Sequence, residues 1–100
     1  MALTIQQKKA LRGLAHHLNP VIQIGAKGVT DALMDELNST LDHHELIKIR
    51  INEGDREERK AIIEAVVNAT GAELVQSIGK VFVLFRRNPE KKDSDFAQLR

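Results

Sequence analysis

The chain of 100 residues contains no cysteine, tryptophan or tyrosine, and only three phenylalanines. Without cysteine it can form no disulfide, no thiolate zinc site and no cysteine nucleophile, and it suits the reducing environment of the cytoplasm. The few aromatic residues leave little with which to stack bases on an exposed sheet. Phe82 and Phe85 fall on opposite faces of one predicted strand, so we expect both in the core.

Long apolar runs are missing as well, and none approaches the roughly 20 residues needed to cross a bilayer. The first residues lack the basic and then apolar pattern of a signal peptide. We therefore expect a cytoplasmic protein with no membrane partner. A chain of this length can bury a core large enough to fold as one domain without a metal or a disulfide.

Catalytic and cofactor motifs are also absent. None of the three serines lies in a G-x-S-x-G turn. The dinucleotide-binding fingerprint fails at Gln23, where it needs glycine, and a P-loop ending at Gly79-Lys80 lacks its first glycine and its final Ser or Thr. Neighbours on a helix point about 100° apart, so neither His16-His17 nor His43-His44 can hold a metal alone. We predict no catalytic residue, no cofactor, no metal and no small-molecule substrate.

Capping residues and periodicity predict seven elements. Thr4 and Gln7 form a capping box for a first helix. The apolar stripe of that helix is Leu11, Leu14 and Leu18. The other predicted elements are a strand over 21–24, a helix between Thr30 and His43-His44, a strand over 46–51, a helix between Asp55 and Gly71, and strands over 74–78 and 81–86.

The segment 46–51 alternates, with isoleucines on one face and Lys48 and Arg50 on the other, which predicts a strand with one wet face. Strands joined by crossover helices tend to be parallel, and the final hairpin adds an antiparallel strand. We therefore expect an α/β fold of the α+β two-layer kind, in the order α-β-α-β-α-β-β, with helices packed on a four-stranded mixed sheet. The predicted domain covers residues 1–87, and residues 88–100 are predicted to form a flexible tail.

The formal net charge is only +1, but the charged residues are segregated along the chain. Residues 1–30 carry four bases and no acid, residues 31–45 carry five acids and no base, and residues 78–92 again sum to +4. This pattern fits a domain with one basic and one acidic face, and a basic face is typical of proteins that bind polyanions. Chance variation among short segments explains the same pattern equally well.

The sequence Gly25-Ala26-Lys27-Gly28 lies between a predicted strand and a predicted helix. Unpaired N–H groups at a helix start attract anions, and glycines let the backbone approach a ligand closely. Lys27 adds a positive charge at the tip of this loop. The loop is thus a candidate contact for nucleic-acid phosphates, as a Gly-x-x-Gly loop is in KH domains. Taken alone, the same residues are explained more simply by an ordinary strand-to-helix turn.

Several stretches together resemble the CRM domain, named for chloroplast RNA splicing and ribosome maturation. These stretches are 8–20, 24–30, 44–48, 78–80 and 84–86. They agree in order and spacing with the stand-alone bacterial form, the YhbY-like proteins, over about residues 3–87. One departure is Phe85, where bacterial relatives often have tyrosine.

The resemblance implies a fold similar to the C-terminal domain of translation initiation factor three, with an added N-terminal helix. It also implies RNA binding, association with precursors of the large ribosomal subunit, and contact between the glycine loop and RNA. Ribosomal particles and precursor ribosomal RNA are therefore the expected partners. The predicted RNA-binding residues are Gly25, Ala26, Lys27 and Gly28 in the loop and, from charge and position, Lys8, Lys9, Arg12, His16, Lys48, Arg50 and Arg86.

Two other functions stay open at this point. The acidic helix from Asp31 to Asp42 could dock a basic ribosomal protein, which would make the chain a protein adaptor. A small enzyme acting on a phosphorylated substrate is the third hypothesis, although no sequence motif supports it.

Overall fold

The elements of the fold follow the predicted order in a computed structural model that describes residues 3–96. They are α1 (Ile5–Ala15), β1 (Ile22–Ile24), α2 (Asp31–His44), β2 (Leu46–Ile51), α3 (Arg56–Thr70), β3 (Glu73–Ile78) and β4 (Val81–Phe85). The strands lie in the order β1-β2-β4-β3, with β1 parallel to β2 and the other neighbours antiparallel. The predicted combination of three helices with a four-stranded mixed sheet is confirmed.

Short polar side chains determine where the helices begin. The side chains of Thr4 and Asp55 each accept a hydrogen bond from the third residue of their helix, and each completes a capping box. Thr30 Oγ1 accepts from the Leu33 N–H at 3.1 Å. Gly71 ends α3 with a left-handed backbone, at φ +70°. These contacts satisfy backbone groups that helix ends leave unpaired.

The main core lies between one face of the sheet and helices α2 and α3. The predicted inward isoleucines of β2 are all buried in it, and Phe82 of β4 is also buried there. The helices contribute Leu37, Leu41 and Val66, each fully buried. Such burial stabilises the domain by roughly 1.5–3 kcal/mol for each large apolar side chain.

Helix α1 packs on the opposite face of the sheet. Leu11 and Ala15 are buried against Leu46 and against residues of β3 and β4. The prediction that β2 has one wet face is therefore wrong at the Leu46 end, because α1 must bury its own apolar side there. The two-layer arrangement gains a partial third layer. Leu14 and Leu18 of the predicted stripe stay 55% and 38% exposed.

Residues 88–96, part of the predicted tail, lie against the domain. The Asn88 N–H and the Ser94 hydroxyl both donate to the Glu45 carboxylate. The Phe96 ring meets the Phe85 ring edge-on, with ring centroids 5.2 Å apart. The rest of the predicted tail, 97–100, lies outside the described residues.

Candidate nucleic-acid interface

The glycine loop, residues 25–28, is an exposed turn at the end of β1. The Gly28 N–H donates to the Gly25 carbonyl at 3.0 Å, which closes the turn. Gly28 has a φ of +67°, a conformation that a residue with a Cβ rarely adopts. Gly25 has no such requirement, and a Cβ placed there would meet no atom within 4 Å. The fold therefore requires glycine at Gly28 but leaves open space beside Gly25.

The glycine loop lies close to the start of α2 without being part of it, and anion binding there stays a prediction. Helix α2 begins at Asp31, three residues after Gly28, so the loop does not form the first turn of the helix. The Thr30 side chain accepts from Leu33, and the Asp31 carboxylate already lies in the positive field of the helix start. The groups nearest to an anion at the loop are therefore the loop's own N–H groups and the exposed Lys27.

One side of the glycine loop is acidic. A shallow pocket there is lined by Glu53 and Glu58 together with Gly25, Ala26 and Gly28. These carboxylates oppose a phosphate on that side, so a nucleic acid could reach the loop only from another direction.

The sheet face that α1 covers, opposite α2 and α3, brings three of the predicted side chains together. An open cleft of about 360 Å³, which we call the α1 cleft, lies between α1 and the sheet and is lined by Arg12, His16 and Lys48. Its apolar floor includes Ala15 and Val83. Within residues 3–96, no acidic side chain lines this cleft. The structure thus brings Arg12 and His16 of α1 close to Lys48 of β2, an arrangement that the sequence alone does not show.

Arg50 extends this cleft toward the glycine loop. It is exposed on the same face of β2 as Lys48, and it lies opposite Gln23 of β1 and Val81 of β4. The loop begins at Gly25, two residues after Gln23 and directly after the end of β1. Arg12, His16, Lys48 and Arg50 therefore form one surface that ends beside the loop, and we call these four residues the basic face.

Lys8 and Lys9 lie one turn earlier on α1, outside the cleft. Lys9 is exposed and Lys8 is half-buried. Lys8 precedes Arg12 by four residues, so both lie on the same side of the helix. The structure thus places Lys8 next to the basic face and Lys9 around the helix from it.

Arg86 is held inside the fold, at the other end of the sheet from the glycine loop. Its guanidinium donates to Asn38 Oδ1 at 2.8 Å, to the Thr70 carbonyl at 2.8 Å and to Asp42 Oδ1 at 3.0 Å. This arrangement disfavours the prediction that Arg86 contacts RNA, because hydrogen bonds to Asn38, Thr70 and Asp42 already use most of its N–H donors.

No pattern in the sequence indicates that Glu45 is buried. Its side chain is wholly buried and its backbone has a positive φ of 65°. The carboxylate accepts from Ser94, from the Asn88 N–H at 2.8 Å and from Arg87 Nη1 at 2.7 Å. Burial raises the pKa of Glu45, but the hydrogen bonds from Ser94, Asn88 and Arg87 outweigh it, so the pKa is below its ordinary value. Glu45 therefore anchors the chain after β4.

The RNA-binding residues predicted from the sequence did not include three cations of α3. Arg56, Arg59 and Lys60 line a cleft of about 540 Å³ against β3. Their spacing of three and four residues along a helix is a signal that the sequence did contain.

The described residues were also searched for metal-binding groups and for helices that could span a membrane. In residues 3–96 no group of three or more His, Cys, Asp or Glu side chains could hold a metal ion. No helix among those residues is long and apolar enough to cross a membrane.

Comparison with known proteins places the chain among RNA-binding relatives. A Haemophilus influenzae protein named as an RNA-binding protein is 47% identical over 90 residues, 90% of this chain and 91% of that protein. A Bacillus subtilis protein named as a probable RNA-binding protein is 38% identical over 90% of this chain and 94% of its own length. The solution structure of a Staphylococcus aureus protein, described as a candidate RNA-binding protein, matches with a TM-score of 0.78 and 36% identity over 94% of this chain and 98% of that one.

The family comparison covers every element of the fold. The sequence profile of the CRS1/YhbY (CRM) domain matches residues 3–86, from the capping box of α1 to the end of β4. The names of the relatives describe RNA binding and no reaction. The relatives are matched over nearly their whole length, as the resemblance to the stand-alone bacterial form implies. The chain belongs to the CRS1/YhbY (CRM) domain family.

Proposed function

We propose that the chain binds RNA and acts in the cytoplasm as an assembly or maturation factor on precursors of the large ribosomal subunit. The observation that carries RNA binding is the continuity of the basic face with the glycine loop. The relatives named for RNA binding support the same conclusion. The ribosomal role follows from the family resemblance.

The basic face contacts the RNA backbone in this proposal. Arg12 can hold a phosphate with two parallel hydrogen bonds, whereas Lys48 acts as a point charge. The α1 cleft is lined by these cations and by His16, so phosphates of neighbouring nucleotides can be neutralised along one path. Arg50 continues that path to the loop.

The glycine loop lets the RNA backbone approach the protein backbone closely. Because no atom lies within 4 Å of a Cβ built at Gly25, an RNA backbone can lie directly against the peptide there. The Ala26 and Lys27 N–H groups and the Lys27 ammonium then provide donors on the exposed turn. This contact reads the shape and charge of the backbone, because these donors recognise phosphates and not base edges.

Base stacking contributes little in this proposal. Phe82 and Phe85 are buried, as predicted, and Phe96 is half-buried against Phe85. The described sheet therefore presents no exposed aromatic platform of the kind that stacks single-stranded bases. We infer that sequence preference is weak.

Binding to labelled precursor ribosomal RNA over a range of salt concentrations tests the loop. Lys27→Ala should remove one phosphate contact, which lowers the salt slope by about 0.7 and the affinity about fivefold near 0.1 M salt. Gly25→Asp should weaken binding further, because it places a negative charge in open space without straining the backbone. A third variant, Gly28→Asp, adds the same charge but also strains the turn, so it is the less clean test.

Matched substitutions control for charge alone. Lys92→Ala removes an exposed lysine outside the basic face, and Asn68→Asp adds a negative charge at an exposed position of α3. Both controls should bind RNA as the wild type does. If Lys27→Ala and Gly25→Asp also bind normally while remaining folded, the loop does not contact RNA.

The ribosomal role needs a separate measurement. Tagged protein should sediment with precursors of the large subunit in cell lysate and leave them when the basic face is neutralised. Sedimentation only with free RNA, or with no particle at all, would remove the assembly role and leave RNA binding intact.

The acidic helix α2 supports a second, compatible function. Asp31, Asp35 and Glu36 are exposed on α2, which covers the sheet face opposite the basic face. A basic ribosomal protein could bind there while RNA occupies the other side. Asp35→Lys with Glu36→Lys would then abolish binding to particles but not to purified RNA, whereas an unchanged particle affinity would exclude this docking function.

A further inference from the structure

Helix α3 separates two clefts of opposite charge. Glu58 and Ile62 point toward the glycine loop and share a pocket there with Glu53. Arg56 and Lys60 lie around the helix from them, toward β3. Three bases and one acid of α3 lie on the β3 side, whereas the pocket by the loop is acidic, so a polyanion is directed to the β3 side.

The cleft on the basic side, which we call the α3 cleft, is built from both α3 and the edge strand β3. Arg56, Arg59 and Lys60 form its helical wall, and Ile63 and Leu74 contribute apolar surface. Ser77 and Gly79 line it from the sheet. Its volume of about 540 Å³ exceeds that of the α1 cleft, so it has room for a nucleotide.

The cations of the α3 cleft are available to a ligand. Within residues 3–96, neither Arg56, Arg59 nor Lys60 forms a salt bridge with a carboxylate. Arg59 Nη1 donates to the Gly54 carbonyl at 2.9 Å, which orients the guanidinium and leaves its other donors unused by that bond. Glu64 is the one acid that lines this cleft among the described residues.

The α3 cleft and the α1 cleft flank the same edge strand. Successive residues of a strand point to opposite faces. Gln76 and Ile78 line the α1 cleft, whereas Ser77 lines the α3 cleft. Lys80 lies in the turn that joins β3 to β4 and is exposed between the two clefts.

We propose that a single RNA strand crosses the β3–β4 hairpin and is held on both faces of the sheet, by the basic face on one side and by the α3 cleft on the other. This inference rests on the proposed RNA-binding function and adds a second contact surface to it. The hairpin turn is the crossing point because unpaired cations lie on both sides of it and Lys80 lies on it. A strand that follows this path avoids the acidic pocket of Glu53 and Glu58.

Substitutions in the α3 cleft test the second surface. The probe is labelled large-subunit ribosomal RNA, and binding is measured by anisotropy at several salt concentrations. Lys60→Gln should weaken binding about fivefold near 0.1 M salt, and Arg56→Gln with Lys60→Gln about 25-fold, with the salt slope lowered by about 0.7 for each contact. Both positions are exposed and glutamine suits a helix, so thermal unfolding should not change. Lys92→Gln is the matched control and should bind as the wild type does.

Crosslinking tests whether one strand contacts both faces. Because the chain has no cysteine, a photoreactive group can be attached to a single introduced thiol. Gln76→Cys and Ser77→Cys place the group on opposite faces at adjacent residues. Both variants should crosslink to neighbouring nucleotides of the same RNA, and Glu36→Cys on α2 should give no crosslink.

Each other outcome overturns part of the argument. Wild-type affinity in the Arg56 and Lys60 variants, or crosslinks from Gln76→Cys alone, would confine RNA to the basic face and refute the inference. Crosslinks from the two positions to distant RNA segments would refute a single crossing strand. If the wild-type protein does not bind the RNA, the proposed function itself is wrong, and this outcome is distinct because every variant then fails alike.

Discussion

The substitution Glu45→Gln should strongly destabilise the fold, because the donors around the buried carboxylate lose their charged acceptor. Glutamine and glutamate have nearly the same volume, so the effect of the charge is tested without a change in packing. The wild-type carboxylate accepts from Arg87 Nη1 and the Asn88 N–H through one oxygen, and from Ser94 through the other. A glutamine amide presents an NH₂ group to one of these sets of donors. Leaving a buried donor without a partner costs about 1–3 kcal/mol, and breaking a buried ion pair costs about 3–5 kcal/mol. Because the Arg87 side chain is 29% exposed and water can reach it, we expect a loss of about 3 kcal/mol.

Urea denaturation at neutral pH measures this loss. With a slope of about 2 kcal/mol per molar urea, the midpoint should fall by about 1.5 M. Glu36→Gln is the matched control, because Glu36 is an exposed residue of α2, and it should change stability by less than about 0.5 kcal/mol. A Glu45→Gln midpoint within error of the wild type would mean that the buried network does not stabilise the fold.

The pH dependence gives a second measurement of the same network. The pKa of Glu45 is lower in the folded protein than its ordinary value of 4.5, so the carboxylate contributes stability fully above that value. This contribution disappears as the pH falls through the lowered folded pKa. The difference in stability between wild type and Glu45→Gln should therefore be constant near neutral pH and shrink below about pH 4.5. A difference that grows in acid would contradict the direction of the pKa change.

Four further substitutions distinguish effects on the fold from effects on RNA binding. Gly28→Ala should cost about 1 kcal/mol in urea denaturation because of the positive φ, whereas Gly25→Ala should leave stability unchanged and weaken RNA binding. Asp55→Ala should lower the melting temperature by removing the cap of α3, at about 1 kcal/mol. Arg86→Gln should destabilise the fold by about 2–3 kcal/mol through lost hydrogen bonds, while the folded variant binds RNA normally; reduced affinity would restore Arg86 to the RNA surface.

The fold was predictable from the sequence because its signals are local. Capping at Thr4, Thr30 and Asp55, and the left-handed turn at Gly71, are set by neighbouring residues and agree with the structure. The alternation in β2 likewise predicted which side faces the core. Local patterns do not indicate which face of a sheet a helix covers. The position of α1 is therefore known only from the structure, because it depends on the packing of Leu11 and Ala15 against Leu46.

The candidate site was predicted less completely, because charge in a sequence does not show which charges are paired. Arg86 and Lys48 have the same kind of signal, yet one is fixed between two helix ends and the other lines an open cleft. Glu45 reads as one more acid of an acidic segment, although it is wholly buried. The Arg86–Asp42 and Arg87–Glu45 contacts join residues that are more than 40 positions apart in the chain, so no local sequence pattern predicts them.

The distribution of charge over the protein is compatible with the proposed RNA binding, although the net charge is only +1. At the end beside Glu45, Arg86 and Arg87 form salt bridges with Asp42 and Glu45, so these charges are paired within the protein. Within residues 3–96 the cations of the α1 cleft have no such partners, and they lie across the sheet from the acidic helix α2. Affinity for RNA depends on the number of phosphates that are neutralised, and not on the net charge of the protein. For the proposed function, the position of α1 over the sheet therefore matters as well as the count of lysines and arginines, because it places Arg12 and His16 beside Lys48.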